Sequence, residues 1–171
     1  MGTEALDLQD TILDAVFNDS DERFMNRISD LLRAGTLPAG APFLPLTGHE
    51  TAEVRRRSIF LLSQIGGEGV VEALCARLAD ESELVRASAV SSLGRLQAQE
   101  AVEPLVDLFR TRTDDQPLLK AVAEALGKIG DPVALAPLQE ASRSAASVTV
   151  RSACMMAASK LQARARASSR A

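Results

Sequence analysis

Few side chains in this sequence are suited to covalent or acid–base chemistry, and their spacing limits what they can do. His49 is the sole histidine, so a nucleophile–imidazole–carboxylate relay or a cage of several imidazoles has nothing to draw on. Its setting, Thr47-Gly48-His49-Glu50-Thr51, reads as a surface cap ahead of a helix. Cys75 and Cys154 lie far apart in apolar helical patterns, outside any Cys-x-x-Cys motif and away from predicted helix N-termini. They read as reduced, buried small hydrophobes. Glu103 and Asp107 stand at helical spacing, yet no aromatic pocket desolvates one of them, so nothing splits them into an acid and a base. Gly66-Gly67-Glu68-Gly69 follows no strand and precedes no Lys-Ser/Thr pair, which makes it an inter-helix turn and not a phosphate cradle. The expectation is a chain that is not an enzyme, with no catalytic residue, no metal and no cofactor.

The elements that carry these residues come from a repeat. Val54, Ser58, Ile59, Leu62 and Ile65 fall column by column onto Val85, Ala89, Val90, Leu93 and Leu96. The same columns return at Leu118, Val122, Ala123, Leu126 and Ile129, and again at Val150, Cys154, Met155, Ala158 and Leu161. Within each copy the spacing is that of an amphipathic helix. A second stripe follows the first three copies: Val71, Leu74, Leu78; Val102, Leu105, Phe109; Leu135, Leu138, Ser142. The spacing predicts first helices near 51–65, 82–96, 115–129 and 147–164, and second helices near 68–79, 99–111 and 132–143. Ser82, Ser147 and either Thr113 or Asp114 are expected as N-caps. Ser63, Gly94, Gly127 and Ser159 share one small-residue column, which marks a place where a neighbouring backbone passes closely. Helical hairpins that cannot cover their own apolar faces must stack, so the expected fold is an all-α solenoid.

Composition agrees. The chain has 171 residues, 46% hydrophobic and 25% charged, enough for a packed core; aromatics are 3%, with no Trp or Tyr, against an all-β fold or base-stacking platforms. A formal net charge of −4 argues against duplex DNA or an anionic membrane as partner. The N-terminus lacks a basic segment and an apolar core, and no window is long enough to span a membrane, so a cytoplasmic location is expected.

The run Val85-Arg86-Ala87-Ser88-Ala89-Val90-Ser91-Ser92-Leu93-Gly94-Arg95-Leu96 resembles the first helix of the HEAT-like repeat of phycobilin-lyase-type proteins. Ala125-Leu126-Gly127-Lys128-Ile129-Gly130-Asp131-Pro132, with Pro137-Leu138 after it, does the same. The resemblance implies a right-handed α-solenoid whose second helices line the concave side. This sequence departs from the pattern where Leu119 replaces the usual Arg, where Gln97 and Ala98 replace a Gly-Asp turn, and where the fourth copy stops after its first helix. The expected organisation is capping helices and a connecting loop over 1–48, the repeat array over 49–164, and a basic disordered tail over 165–171.

Charge separates by layer. Residues 1–48 carry three basic and eight acidic side chains; the first helices, taken as 50–65, 82–96, 115–129 and 147–164, carry ten and five, and the second helices, taken as 67–79, 99–111 and 131–143, three and seven. Glu72 aligns with Glu103 and Asp107 with Glu140, an acidic ridge interrupted by Arg77, Arg110 and Arg143. It reads either as a solvated face or as a groove for a basic or amphipathic peptide. Arg55, Arg86 and Arg151 recur at one position, as an inter-repeat ladder would require, and Arg55-Arg56-Arg57 is dense enough to touch an acidic partner. Met155 and Met156 lie on the last helix, whose apolar face has no fourth partner, so the tail, a homodimer or another protein is expected there. The sequence reading is a bacterial, cytoplasmic, non-catalytic scaffold or adaptor whose partner-binding residues are Glu72, Glu103, Asp107, Glu140, Arg110, Arg143, Met155 and Met156. The resemblance implies the alternative, an accessory or chaperone-like subunit of a phycobilin-lyase-type or other enzyme.

Overall fold

The computed structural model describes residues 2–37 and 39–168; the side chains of 2–7 and 168 lie outside that description. The α-helices among the described residues are α1 (Gly2–Asn18), α2 (Asp21–Ala34), α3 (Ala52–Ile65), α4 (Val70–Ala76), α5 (Glu83–Leu96), α6 (Val102–Thr111), α7 (Gln116–Ile129), α8 (Leu135–Ser144) and α9 (Val148–Ser168). Short 3-10 turns precede α3, α6 and α8 and follow α4. Among the described residues there is no strand. The four repeat copies become α3, α5, α7 and α9, the second helices α4, α6 and α8, and the whole is an α-solenoid of stacked hairpins. Helix α9 continues to Ser168, so residues 165–168, assigned to a tail by the sequence, extend that helix; 169–171 lie outside the described residues.

The apolar columns explain the stack. Ile59, Leu62, Val90, Leu93, Val122, Ala123 and Leu126 are fully buried, while Leu74, Leu105 and Leu138 bring the second helices onto them. Gly94 sits against α7 so closely that a Cβ there would lie 2.8 Å from the Ala125 Cα. At Gly127 a Cβ would lie 3.0 Å from the Ala157 Cβ. The small-residue column is therefore the contact line between successive first helices. Turn chemistry follows local geometry more than the expected caps. Asp115, and neither Thr113 nor Asp114, accepts the Leu118 N–H at the start of α7. At α5 the Asp80 carboxylate takes the Ser82 N–H at 3.0 Å, and the Ser82 hydroxyl makes no cap bond. Where the Gly-Asp turn is missing, Gln97 itself takes the left-handed conformation at φ 52°.

The N-terminal hairpin α1–α2 seals the stack through the arginine cluster. Arg57 donates to the Val16 carbonyl at 3.0 Å, pairs with Asp21 and Glu53, and lies 5.7 Å from the Phe24 ring centre. Arg56 also pairs with Asp21 and Glu53. The acidic partner expected for Arg55-Arg56-Arg57 is thus supplied by this chain.

Candidate functional site

The recurring arginine builds a ladder along the turn edge of the solenoid. Arg55 Nη1 donates to the carbonyls of His49 and Glu50, six and five residues back, at 2.9 and 2.8 Å. Arg86 repeats this on Asp80 and Glu81 at 2.8 and 3.2 Å, and Arg151 on Ala145 and Ala146 at 2.8 and 3.1 Å. Each guanidinium so satisfies carbonyls of the turn that leads into its own helix, and Arg55 and Arg86 also reach the next hairpin. There Arg55 meets Asp80 with two bonds, at 2.9 and 2.8 Å, and Arg86 meets Asp115 with one, at 3.1 Å. Burial pushes the Asp80 carboxyl up, but the Arg55 guanidinium, the Ser82 N–H and the charge of Arg77 outweigh it and hold the carboxyl below its ordinary range.

The ladder weakens toward the C-terminus and then stops. Arg86 leaves its buried Nε without a partner. At the third position Leu119, 4% exposed, has no group to offer, and the following turn, Ala145-Ala146-Ser147, has no acid. Gln116 takes over one task, its Nε2 donating to the Thr113 carbonyl, while its Oε1 is buried with no partner.

A cleft of about 600 Å³ opens at this place, between α6, α7 and α8. Val106, Phe109, Leu119 and Pro137 give it an apolar wall; Thr113 and Gln116 stand at one side and Glu140, Ser144, Ala145 and Ala146 at the other. Glu140 is the one carboxylate among the lining residues. Arg110 also lines it and is paired with Asp107 at 2.8 Å. This size suits a small ligand or a long side chain, with few polar groups to fix orientation.

The sequence-selected residues divide. Arg110 and Glu140 meet at the cleft, with Asp107 behind Arg110; Glu72, Glu103 and Arg143 lie exposed elsewhere on α4, α6 and α8. Met155 and Met156 are about 60% exposed on α9, whereas Ala157 and Leu161 of the same helix are buried. Sequence reasoning named Leu119 as a departure without seeing that it opens a cleft, and it missed Thr113, Gln116 and Phe109 as lining groups. The missing rung was the available signal. Neither thiol is activated: burial pushes Cys154 up to about 11, and burial with the nearby Glu100 charge raises Cys75. His49 serves its turn, its Nδ1 accepting the Thr51 N–H at 3.1 Å and its ring meeting Phe17 edge-on at 5.4 Å between centres. Among the described residues no helix is long and apolar enough to cross a membrane.

Comparison with known proteins corrects the functional expectation. Residues 40–117 match the HEAT repeats family and residues 118–144 the PBS lyase HEAT-like repeat. Human deoxyhypusine hydroxylase is 30% identical over 110 residues, covering 64% of this chain and 36% of the relative. The Drosophila melanogaster deoxyhypusine hydroxylase is 33% identical over 86 residues, 50% of this chain and 28% of the relative. Deoxyhypusine hydroxylase-B of Oryza sativa subsp. japonica is 31% identical over 120 residues, 70% and 39%. The chain spans well under half the length of these curated relatives. They are enzymes, from animals and a plant. The scaffold and adaptor reading, its accessory-subunit alternative and the expectation of no enzyme are overturned by them, and the bacterial assignment gains no support. The physical reason for the error is that packing columns dominate a repeat sequence, so a scarcity of reactive side chains is weak ground for denying catalysis. By its stacked hairpins, its arginine ladder and both repeat matches, the chain belongs to the HEAT-like repeat proteins.

Proposed function

We propose that this chain is part of an enzyme that modifies an aliphatic amine side chain held against its repeats, with hydroxylation as the reaction. The similarity to deoxyhypusine hydroxylases carries the reading. The cleft supports it chemically. Val106, Phe109 and Leu119 offer an apolar wall to methylene groups, and Glu140 offers a carboxylate to an amine. A substrate of the deoxyhypusine kind, free or within a basic or amphipathic peptide, has both features. A reducing cytoplasm suits two free thiols whose pKa values are raised.

Placing oxygen on an aliphatic C–H bond needs an oxygen-activating metal or cofactor. Among the described residues no group of three or more His, Cys, Asp and Glu is arranged to hold a metal ion, and His49 is committed to its turn through Nδ1. These residues do not fit such a centre, and no step is derived through one. The task of this chain's own side chains is to bind and orient: Glu140 takes the amine, and Phe109 and Leu119 shield the methylenes from water.

The test titrates the protein with a peptide carrying deoxyhypusine and with the same peptide carrying alanine at that position. Saturable binding of the first alone is expected, weakened in Glu140→Gln. No binding, while human deoxyhypusine hydroxylase binds the same sample, overturns the proposal.

A further inference from the structure

We infer that the interrupted arginine ladder is itself a recognition site, and that the cleft at Leu119 binds an alkyl cation of about arginine's reach, a guanidinium or primary ammonium on a methylene chain, in place of the missing rung. This deepens the reading above and rests on the cleft being where substrate is held.

The register supplies the argument. Arg55, Arg86 and Arg151 each place a guanidinium on the carbonyls six and five residues back. For Leu119 those positions are Thr113 and Asp114, and Thr113 lines the cleft. Gln116 Nε2 meets the Thr113 carbonyl as a neutral stand-in, and the same amide leaves Oε1 as a buried acceptor without a donor. A buried acceptor in that state is costly, so the amide gains by turning Oε1 toward a donor that enters the cleft. Across the opening stands Glu140, the only carboxylate of the lining, while Arg110 is held by Asp107. The wall between them, Val106, Phe109 and Leu119, matches the methylene stem that every other rung carries. The cleft therefore has the Thr113 carbonyl, which keeps a second lone pair beside its bond from Gln116, a counter-charge in Glu140, and room for the stem, while its one lining cation, Arg110, is paired with Asp107. A cation on a stem completes it, whereas an anion meets Glu140 and carbonyl oxygens.

The experiment titrates the chain with butylguanidinium, 1,4-diaminobutane and pentanoate, following the amide resonances of residues 113–119 and 145–147. Shifts are expected with at least one cation and not with pentanoate; the cation that binds more tightly tells an arginine-like head from an amine. Leu119→Arg supplies the rung from within, so its thermal midpoint stays level or rises while cation affinity falls at least about tenfold. Should that variant fail to fold, the exposed Glu140→Gln decides, with the fold kept and affinity lower by about the same factor. Equal shifts with pentanoate, no shift with either cation at millimolar concentration, or full cation affinity in folded Leu119→Arg or Glu140→Gln overturns the inference. Cation binding with no binding of the deoxyhypusine peptide removes the enzymatic reading alone. Peptide binding by a chain whose cleft ignores both cations removes this inference alone.

Discussion

The second and third inter-repeat junctions are built alike in one layer, and all three differ in the other. Between first helices, Gly94 meets Ala125 at the second junction and Gly127 meets Ala157 at the third, so backbones approach closely at both, while the first carries Ser63 in that column. At the turn edge the junctions diverge: Arg55 grips Asp80 with two bonds, Arg86 grips Asp115 with one, and Leu119 grips nothing. The apolar layer alone therefore suffices to stack a hairpin, and the polar pins are an addition that can be withdrawn locally. Where they are withdrawn the solenoid has a cleft, so position along the array sets whether an edge is braced or open to a ligand.

The sharpest way to break this comparison is to unpin the first junction. In Asp80→Ala the Arg55 side chain, 5% exposed, keeps its charge and loses its buried counter-ion, with only the exposed Glu81 carboxylate left at 3.2 Å. The expected cost is about 3–5 kcal/mol, read as a lower urea midpoint, against under about 1.5 kcal/mol for Leu119→Met at the unpinned junction. Equal costs would show that the pins do not distinguish the two. Acid should act as a gentler version. The Asp80 carboxyl lies below its ordinary 3.8 in the fold, so the unfolded chain binds its proton first. Its contribution is complete above about pH 4 and disappears as pH falls through the folded value. Stability measured between pH 6 and pH 2, ranges chosen as roughly bracketing that window, should fall less steeply in Asp80→Ala than in wild type.

The shared layer yields a smaller effect. A Cβ on Gly94 would lie 2.8 Å from the Ala125 Cα, while one on Gly127 would lie 3.0 Å from the Ala157 Cβ and 3.2 Å from its Cα. Gly94→Ala is expected to cost about 1–3 kcal/mol and Gly127→Ala less, because the second contact is looser. A larger loss at Gly127, by thermal or urea unfolding, would mean that α7 and α9 yield less than α5 and α7.

Much of this architecture is written in local pattern. The columns Val54 to Leu161 place the start of each first helix within one residue, because burial at period 3.6 and small residues at one register fix how they stack, whereas the second helices begin two or three residues later than expected and α9 runs four further. Caps were harder to read: Asp115 does the work expected of Thr113 or Asp114 from one or two positions along, while at α5 the Asp80 carboxylate takes the N–H of Ser82 and the Ser82 hydroxyl caps nothing. The ladder was visible as Arg55, Arg86 and Arg151, but its crossing was not, since Arg86 takes the backbone of the turn before it while Arg55 takes that turn's carboxylate. The cleft was least legible. It arises from an absence, Leu119, and from Phe109, Pro137 and Ala145 on three segments that only the stack brings together. No spacing rule within one helix encodes that meeting.

The finest distinction concerns Arg110 at the mouth of the cleft. Its bond to Asp107 joins two exposed side chains, so for stability Asp107→Ala should change little, about 0–1 kcal/mol. Binding is a different matter. Removing Asp107 leaves the Arg110 charge uncompensated beside Glu140, where it competes with an entering cation for the same carboxylate. Affinity for butylguanidinium should therefore drop by less than about tenfold, and added salt should erase most of the drop, since charges at this exposure are screened over about 10 Å at 0.1 M. The double variant Asp107→Ala, Arg110→Ala should recover the wild-type affinity, because the competing charge leaves with its guanidinium. Were the double variant as weak as the single one, Asp107 would be acting on the ligand directly and not through Arg110.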